Sequence, residues 1–251
     1  MGSTVCRAVA ADPELELVAA VDPYHAGIDL HQLGLEGTGL QVAAKADAMA
    51  EADAEVAVDF TVVDAARDNL RWCAAHGVHA VVGTTGFTPD DLAELRDRFA
   101  ESTANAAIAP NFAIGAVLMM RFAELAAPYF ETAEVIELHH DEKADAPSGT
   151  AMLTAERMAA ASKDWGEEPT TKLMVEGARG GEGPGGIRVH SLRLRGLVAH
   201  QEVVLGTTGQ SLTIRHDSFD RSSYMPGVLL AIRAVRDRPG LTFGLDALLD
   251  I

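Results

Sequence analysis

Val78-His79-Ala80-Val81-Val82-Gly83-Thr84-Thr85-Gly86 is a short apolar run that stops on a cluster of small residues. Such a run, rich in valine and bounded by glycine, is too short for a buried helix and reads as a buried strand over Val78–Gly83. Outward from it the same pattern repeats. Val56-Ala57-Val58-Asp59-Phe60-Thr61 is a second strand, Asn105-Ala106-Ala107-Ile108-Ala109 a third, and Leu15–Asp22 a further buried strand that ends on an acid. Helical segments lie between them. Asp64–His76 places Ala66, Leu70, Cys73 and Ala74 on one face, and Pro89–Ala100 opens with proline at a favoured position and acids in its first turn. Alternation of this kind predicts an α/β, doubly wound parallel sheet with helices on both sides.

In an open parallel sheet, ligands sit outside the carboxyl ends of the strands. Gly83, Thr84 and Thr85 follow one strand, and Ala109, Pro110, Asn111 and Phe112 follow another. Asp22 closes the first, where an acid can accept from ribose hydroxyls. Each alone is as readily a plain turn, but three successive strand ends together suit a dinucleotide.

Past Asn111 the character changes. Ile114–Tyr129 is a long, nearly all-apolar helix, expected to be buried between layers or domains. Val135–His140 is strand-like and Thr150–Ser162 helical. Gly177–Gly186 holds six glycines in ten residues and reads as a mobile loop. Ile187–Leu194, Val198–Leu205 and Ser211–His216 follow as strands joined by short turns, expected to form a mostly antiparallel sheet. Ser222–Val235 returns to helix, and 240–251 is a short apolar tail. The expected organisation is a dinucleotide domain from 1–112 and 219–251, with an α+β domain inserted at 113–218.

The 251 residues, 48% hydrophobic and 23% charged, suit a folded enzyme rather than a disordered chain. A net charge of −17 argues against nucleic acid or an anionic membrane as partner, because phosphate would be repelled. No apolar run is long enough to span a bilayer. The start lacks the features of a secretory signal. Both cysteines, Cys6 and Cys73, read as small buried apolar residues. Together these features imply a reducing, cytoplasmic setting.

The densest chemistry lies in Glu137-Leu138-His139-His140-Asp141-Glu142-Lys143-Ala144-Asp145-Ala146-Pro147-Ser148-Gly149-Thr150-Ala151. Two histidines leave a strand, a lysine follows, and Ser-Gly-Thr opens a helix. Unpaired N–H groups at a helix start, with Ser148 and Thr150 hydroxyls and the Lys143 charge, make an anion site. Histidine adds a donor that titrates near neutrality. Spacing alone leaves three readings open: a catalytic anion site, a helix cap with surface histidines, or a metal site. The metal reading lacks a further histidine at helical spacing and is the weakest.

Taken with Val81–Phe87, Ala109–Gly115, Gly196–Val203 and Ile214–Arg221, this segment resembles the 4-hydroxy-tetrahydrodipicolinate (dihydrodipicolinate) reductase family of lysine and diaminopimelate biosynthesis. The resemblance runs the length of the chain. It implies a Rossmann-like dinucleotide domain and an NADH- or NADPH-dependent oxidoreductase acting on a small dicarboxylate, with no metal. His139 would be the catalytic acid/base and Lys143 a proton donor. His140, Ser148, Gly149 and Thr150 would bind the substrate. Gly83–Thr85 and Ala109–Phe112 would line the cofactor, and Asp22 would hold the adenine ribose. Only Pro23, Tyr24 and His25 follow Asp22, with no arginine, so an acid there favours NADH. A homotetramer built through the second domain's sheet is implied, with Val198–Leu205 as its surface. Arg179 or Arg188 is expected to add positive charge to the substrate pocket, and Gly177–Gly186 to close over it.

The sequence departs from the family at its start. Met1-Gly2 matches the last two residues of the family's phosphate-cradling glycine turn, with Gly2 its final glycine. The first strand is therefore expected to be lacking from the sheet, its residues lying upstream in a longer native chain. The rival expectation is a degenerate dicarboxylate-binding or regulatory homologue without hydride transfer. A further rival is a metal-dependent hydrolase using His139 and His140.

Overall fold

The computed structural model describes all residues, Met1–Ile251. The chain divides into two units, Met1–Phe112 with Arg221–Ile251, and Ala113–Asp220. The first unit runs α1 (Gly2–Ala11), β1 (Ala20–Val21), β2 (Val42–Ala43), α2 (Asp47–Glu51), β3 (Val56–Asp59), α3 (Val63–His76), β4 (His79–Val82), α4 (Pro89–Glu101) and β5 (Ala106–Ile108). The second holds α5 (Ile114–Ala126), β6 (Thr132–His139), α6 (Gly149–Ala161), β7 (Gly181–Glu182), β8 (Arg188–Arg193), β9 (Ala199–Thr207) and β10 (Gln210–Ser218). The chain then returns to the first unit with α7 (Met225–Ala234), β11 (Leu241–Phe243) and α8 (Asp246–Leu249).

β3, β4, β5 and β11 form a parallel sheet in the order β11-β5-β4-β3. Its residues alternate between two buried faces. Ala80, Val82, Ala106 and Ile108 pack with Ala66, Leu70 and Cys73 of α3 and Leu95 and Phe99 of α4. Val81 and Ala107, equally buried, point the other way, where α7 lies against β4. That two-sided burial is why these strands read as unbroken apolar runs. The helices are delimited as their residues dictate. Thr88 and Asp91 make a reciprocal capping box at the start of α4, with a proline in its first turn. Gly77 ends α3 in the left-handed conformation.

Leu15–Asp22 differs from expectation. Only Ala20–Val21 join a ladder, and that ladder is with β2 alone. β1 and β2 thus form a separate two-stranded sheet, and no strand bonds β1 to β3. With a neighbour on one side only, this segment is half-buried and Val21 is exposed. Cys6 is likewise half-buried, whereas Cys73 is buried.

In the second unit the strand order is β10-β9-β6-β8-β7, and only β6–β8 is parallel. The consecutive strands β8 and β9 are not neighbours, because β6 lies between them. Val135 and Glu137 of β6 are fully buried, and a central place supplies ladder partners on both edges. α6 covers one face, where Ala151, Ala155 and Met158 meet Val135, Val189, Val203 and Leu205.

α5 is not buried all round. Ala116, Val117, Met119, Met120 and Ala123 face inward, while Phe122 and Leu125 are exposed. Pro128 lies in the 3₁₀ turn Ala127–Tyr129 that ends it. The glycine-rich segment is also more ordered than its composition implies. Arg179 forms ion pairs with Glu134 and Glu168, Gly181–Glu182 pairs with β8, and Pro184–Gly186 forms a 3₁₀ turn.

Gly227 sets how closely α7 approaches the loop after β5. A Cβ there would lie 2.1 Å from the Phe112 carbonyl oxygen. Gly227→Ala therefore forces α7 outward, and a loss of about 1–3 kcal/mol is expected from overpacking, read as a lower midpoint in thermal or urea unfolding.

Candidate active site

β6 alternates, so Glu137 and His139 share a face. Glu137 is fully buried, and most of its contacts converge on the candidate site. Arg193, at the end of β8 and in register with His139, grips both of its oxygens at 2.8 Å. The His139 Nδ1 lies 2.5 Å from Oε2. The Ser148 backbone N–H donates to Oε1 at 3.2 Å. One carboxylate thus fixes the histidine, an arginine and the entry to α6.

Burial alone would push the Glu137 carboxyl up, but Arg193 foremost, with Ser191 and His139, holds it below its ordinary value. Burial pushes the His139 ring down. Glu137 opposes that, while Lys143 and Arg193 add to it, and the net value is lowered. Near neutrality His139 is therefore uncharged, with its Nδ1–H donated to Glu137 and Nε2 left for a ligand.

The turn after β6 returns to the same centre. Lys143 donates its backbone N–H to the His140 carbonyl and pairs through Nζ with Asp145 at 2.7 Å. Arg193 Nη2 donates to the Asp145 carbonyl at 2.6 Å, tying this loop to Glu137. Ser148 is buried and caps α6, its Oγ accepting from Ala151 and its carbonyl from Met152. Capping and an anion site are thus compatible here. The N–H groups of Gly149 and Thr150 lie one step nearer the helix's positive end. A Cβ on Gly149 would meet nothing within 4 Å, so the fold itself does not demand a glycine there.

His139, Lys143, Ser148, Gly149 and Thr150 are gathered around this turn, whereas His140 is exposed and contributes only its carbonyl. No group of three or more His, Cys, Asp or Glu side chains is arranged to hold a metal. Arg179 and Arg188 do not serve the site. Arg188 is in register with Glu134, five residues before His139, which is about 16 Å along the strand. Both pair with Glu168 instead.

In the first unit, the carboxyl ends of β3, β4 and β5 share one edge. Of the expected cofactor residues there, Thr85 and Pro110 are exposed and Gly83 and Asn111 half-buried. Thr84, Ala109 and Phe112 are buried. The N–H groups of Gly83 and Ala109 are spent on the Asp59 and Val82 carbonyls. The Phe60 ring sits directly on Gly83, where a Cβ would lie 2.0 Å from it, and 5.7 Å from the Phe112 ring. A small-residue floor with exposed polar edges fits a dinucleotide. Asp22 is held by its own loop, accepting from Tyr24 N–H and lying 2.9 Å from His25 Nδ1. Partial burial would raise its carboxyl, but His25 and Tyr24 hold it below the ordinary value. Gly2 is the exposed first residue of α1.

Glu137, Arg193, Asp59 and Phe60 were not singled out from sequence. An acid at an alternate position of a buried strand is a readable signal for Glu137. Arg193 has none, because only the β6–β8 register brings it to the site.

A parallel dinucleotide-type sheet joined to a second domain that carries a carboxylate-held histidine and a lysine defines a two-domain reductase. The two family models that match are "Dihydrodipicolinate reductase, N-terminus" over residues 1–112 and "Dihydrodipicolinate reductase, C-terminus" over residues 115–249. The chain belongs to the dihydrodipicolinate reductase family. It is 52% identical to the 4-hydroxy-tetrahydrodipicolinate reductase of Nocardia farcinica, covering 100% of this chain and 95% of that one. With that of Streptomyces avermitilis it shares 49%, covering 100% and 94%. Among solved structures, dipicolinate-bound dihydrodipicolinate reductase from Paenisporosarcina sp. TG-14 superposes with a TM-score of 0.85 at 38% identity, over 98% of this chain and 94% of that one. No helix is long and apolar enough to cross a membrane.

Glu137→Gln keeps the shape but removes the charge that Arg193 and His139 face. A loss of about 3 kcal/mol or more in urea unfolding at pH 7 is expected. Because the native carboxyl lies below its unfolded value, its stabilisation is complete above the ordinary carboxylate range and fades as pH falls through it. The variant's unfolding midpoint should accordingly depend less on pH in that window than the wild type's.

Proposed function

We propose that this protein reduces 4-hydroxy-tetrahydrodipicolinate to tetrahydrodipicolinate with NADH or NADPH. The single observation that carries the reading is the Glu137-held His139 set beside Lys143 and the start of α6 on one continuous segment. A bound nicotinamide supplies the hydride, which adds to an unsaturated carbon of a cyclic imine dicarboxylate. The chain's own residues do the rest. The N–H groups of Gly149 and Thr150 receive one carboxylate, and the exposed His140 and Lys143 meet the negative charge. Ser148 acts mainly by capping the helix. On binding of the dianion His139 Nε2 takes up the proton that then quenches charge building up at the reacting carbon, and Lys143 is a second donor beside it.

For the cofactor, Thr85 and Pro110 form the exposed edge with half-buried Asn111 beside them, braced by Gly83, Thr84, Ala109 and Phe112. Asp22 accepts from the adenine ribose and favours NADH over NADPH, and Gly2 lies at the phosphate end. The assembly proposed is a homotetramer through the uncovered face of the second unit's sheet, where Ile136, Leu138 and Val204 stand half-exposed. Val203 and Leu205 face α6 instead. Free Cys6 and Cys73 suit a cytoplasmic setting.

In an assay following nicotinamide absorbance, His139→Gln should lower kcat by about 10²–10⁴-fold. Lys143→Ala should lower kcat and raise the KM of the dicarboxylate. A wild type that oxidises neither NADH nor NADPH would sink the reading.

The lowered His139 value gives a second test. A dianion beside the ring favours its charged form, so binding should draw a proton from solvent near pH 7. Calorimetric titration with pyridine-2,6-dicarboxylate in buffers of differing protonation enthalpy should show net proton uptake in the wild type. His139→Gln should show none.

A further inference from the structure

Asp59, the last residue of β3, is 8% exposed and accepts at least three close hydrogen bonds. Its Oδ1 receives the Thr61 N–H and the Thr61 hydroxyl, each at 2.7 Å, and the Thr84 hydroxyl more weakly at 3.4 Å. Its Oδ2 receives the Asn69 amide of α3 at 2.7 Å. All of these donors are neutral. A buried carboxylate whose partners carry no charge is expensive to keep, and its place is telling. Thr61 follows β3, and Thr84 stands between Gly83 and Thr85 at the end of β4. The same Thr84 hydroxyl proton is shared with the Thr61 carbonyl at 3.2 Å. The next residue, Phe60, packs on Gly83 and faces Phe112. The end of β3 therefore grips the loops after both β4 and β5.

We propose that Asp59 is a positioning residue of the nicotinamide site, which holds the loop ends in place and sets their potential with an unneutralised negative charge. This rests on reading Gly83–Thr85 as a cofactor edge. Oxidised nicotinamide carries a ring cation and the reduced form does not, so a fixed negative charge nearby favours the product of hydride loss. The tether acts on both forms of the cofactor, and the charge discriminates between them.

The test measures dissociation constants for NADH and NAD⁺ by fluorescence, with steady-state kinetics and thermal unfolding, on the full chain. In Asp59→Asn both constants should rise, that for NAD⁺ by about fivefold more than that for NADH. The KM of the dicarboxylate should stay unchanged while kcat falls. The exchange variant Asp59→Asn/Asn69→Asp, which returns a carboxylate to the same side-chain pair, should recover most of both affinities. Asn69→Ala removes one tether and keeps the charge, so both constants should rise equally and modestly. A folded Asp59→Asn variant with unchanged affinities, or with both weakened equally, overturns the proposal. Should that variant not fold, unchanged affinities in Asn69→Ala overturn it instead. A wild type that binds neither nucleotide would overturn the cofactor reading itself.

Discussion

The buried Glu137 carboxylate is the constraint from which the second unit's chemistry follows. It sits on the central strand of a mixed sheet with no exposed surface, a position that is tolerable only because Arg193 meets it in a bidentate fork. Its remaining capacity is then spent on His139 and on the Ser148 backbone. The orientation of the imidazole and the start of α6 are therefore not independent. Both are referred to one charge, and that charge is referred to the β6–β8 register.

The first unit solves a similar problem differently. Asp59 is also buried at a strand end, but its donors are two threonine hydroxyls, a backbone N–H and an amide. With no cation beside it, its field is left to act on whatever occupies the loops it holds. Hydride transfer on the proposed reading needs a cationic environment where the substrate's carboxylates sit and a negative one where the nicotinamide becomes a cation. The two buried acids are balanced accordingly, one by arginine and one by neutral groups.

The doubly wound unit was legible because β3, β4 and β5 are buried on both faces, and two-sided burial writes itself as runs such as Val78–Val82. The turn from Glu137 to Thr150 was legible because its residues are local in sequence. What failed to show depends on neighbours. Leu15–Asp22 has the composition of a buried strand but only one partner, so two of its residues pair and the rest lie half-exposed. α5 is apolar on a face that its own unit leaves uncovered. Gly177–Gly186 looks mobile until Arg179 is seen anchored to Glu134 and Glu168. Arg193 and Arg188 look alike as sequence, and only register separates the one that serves the site from the one that does not.

The charge arithmetic of the site explains how an acidic protein can take up a dianion. Each cation near His139 already has an anion: Arg193 has Glu137, Lys143 has Asp145, and Arg195 has Asp141. These pairs are not equal. Arg193–Glu137 is buried, and separating it would strand a carboxylate in the core. Lys143–Asp145 is a solvent-accessible pair with Asp145 largely exposed, and such pairs contribute only about 0–1 kcal/mol. A carboxylate arriving at the start of α6 can therefore draw Lys143 away from Asp145 at little cost, while Arg193 stays in place. On this reading the lysine is the mobile charge and the arginine the fixed one, so the pocket becomes positive only when its substrate enters.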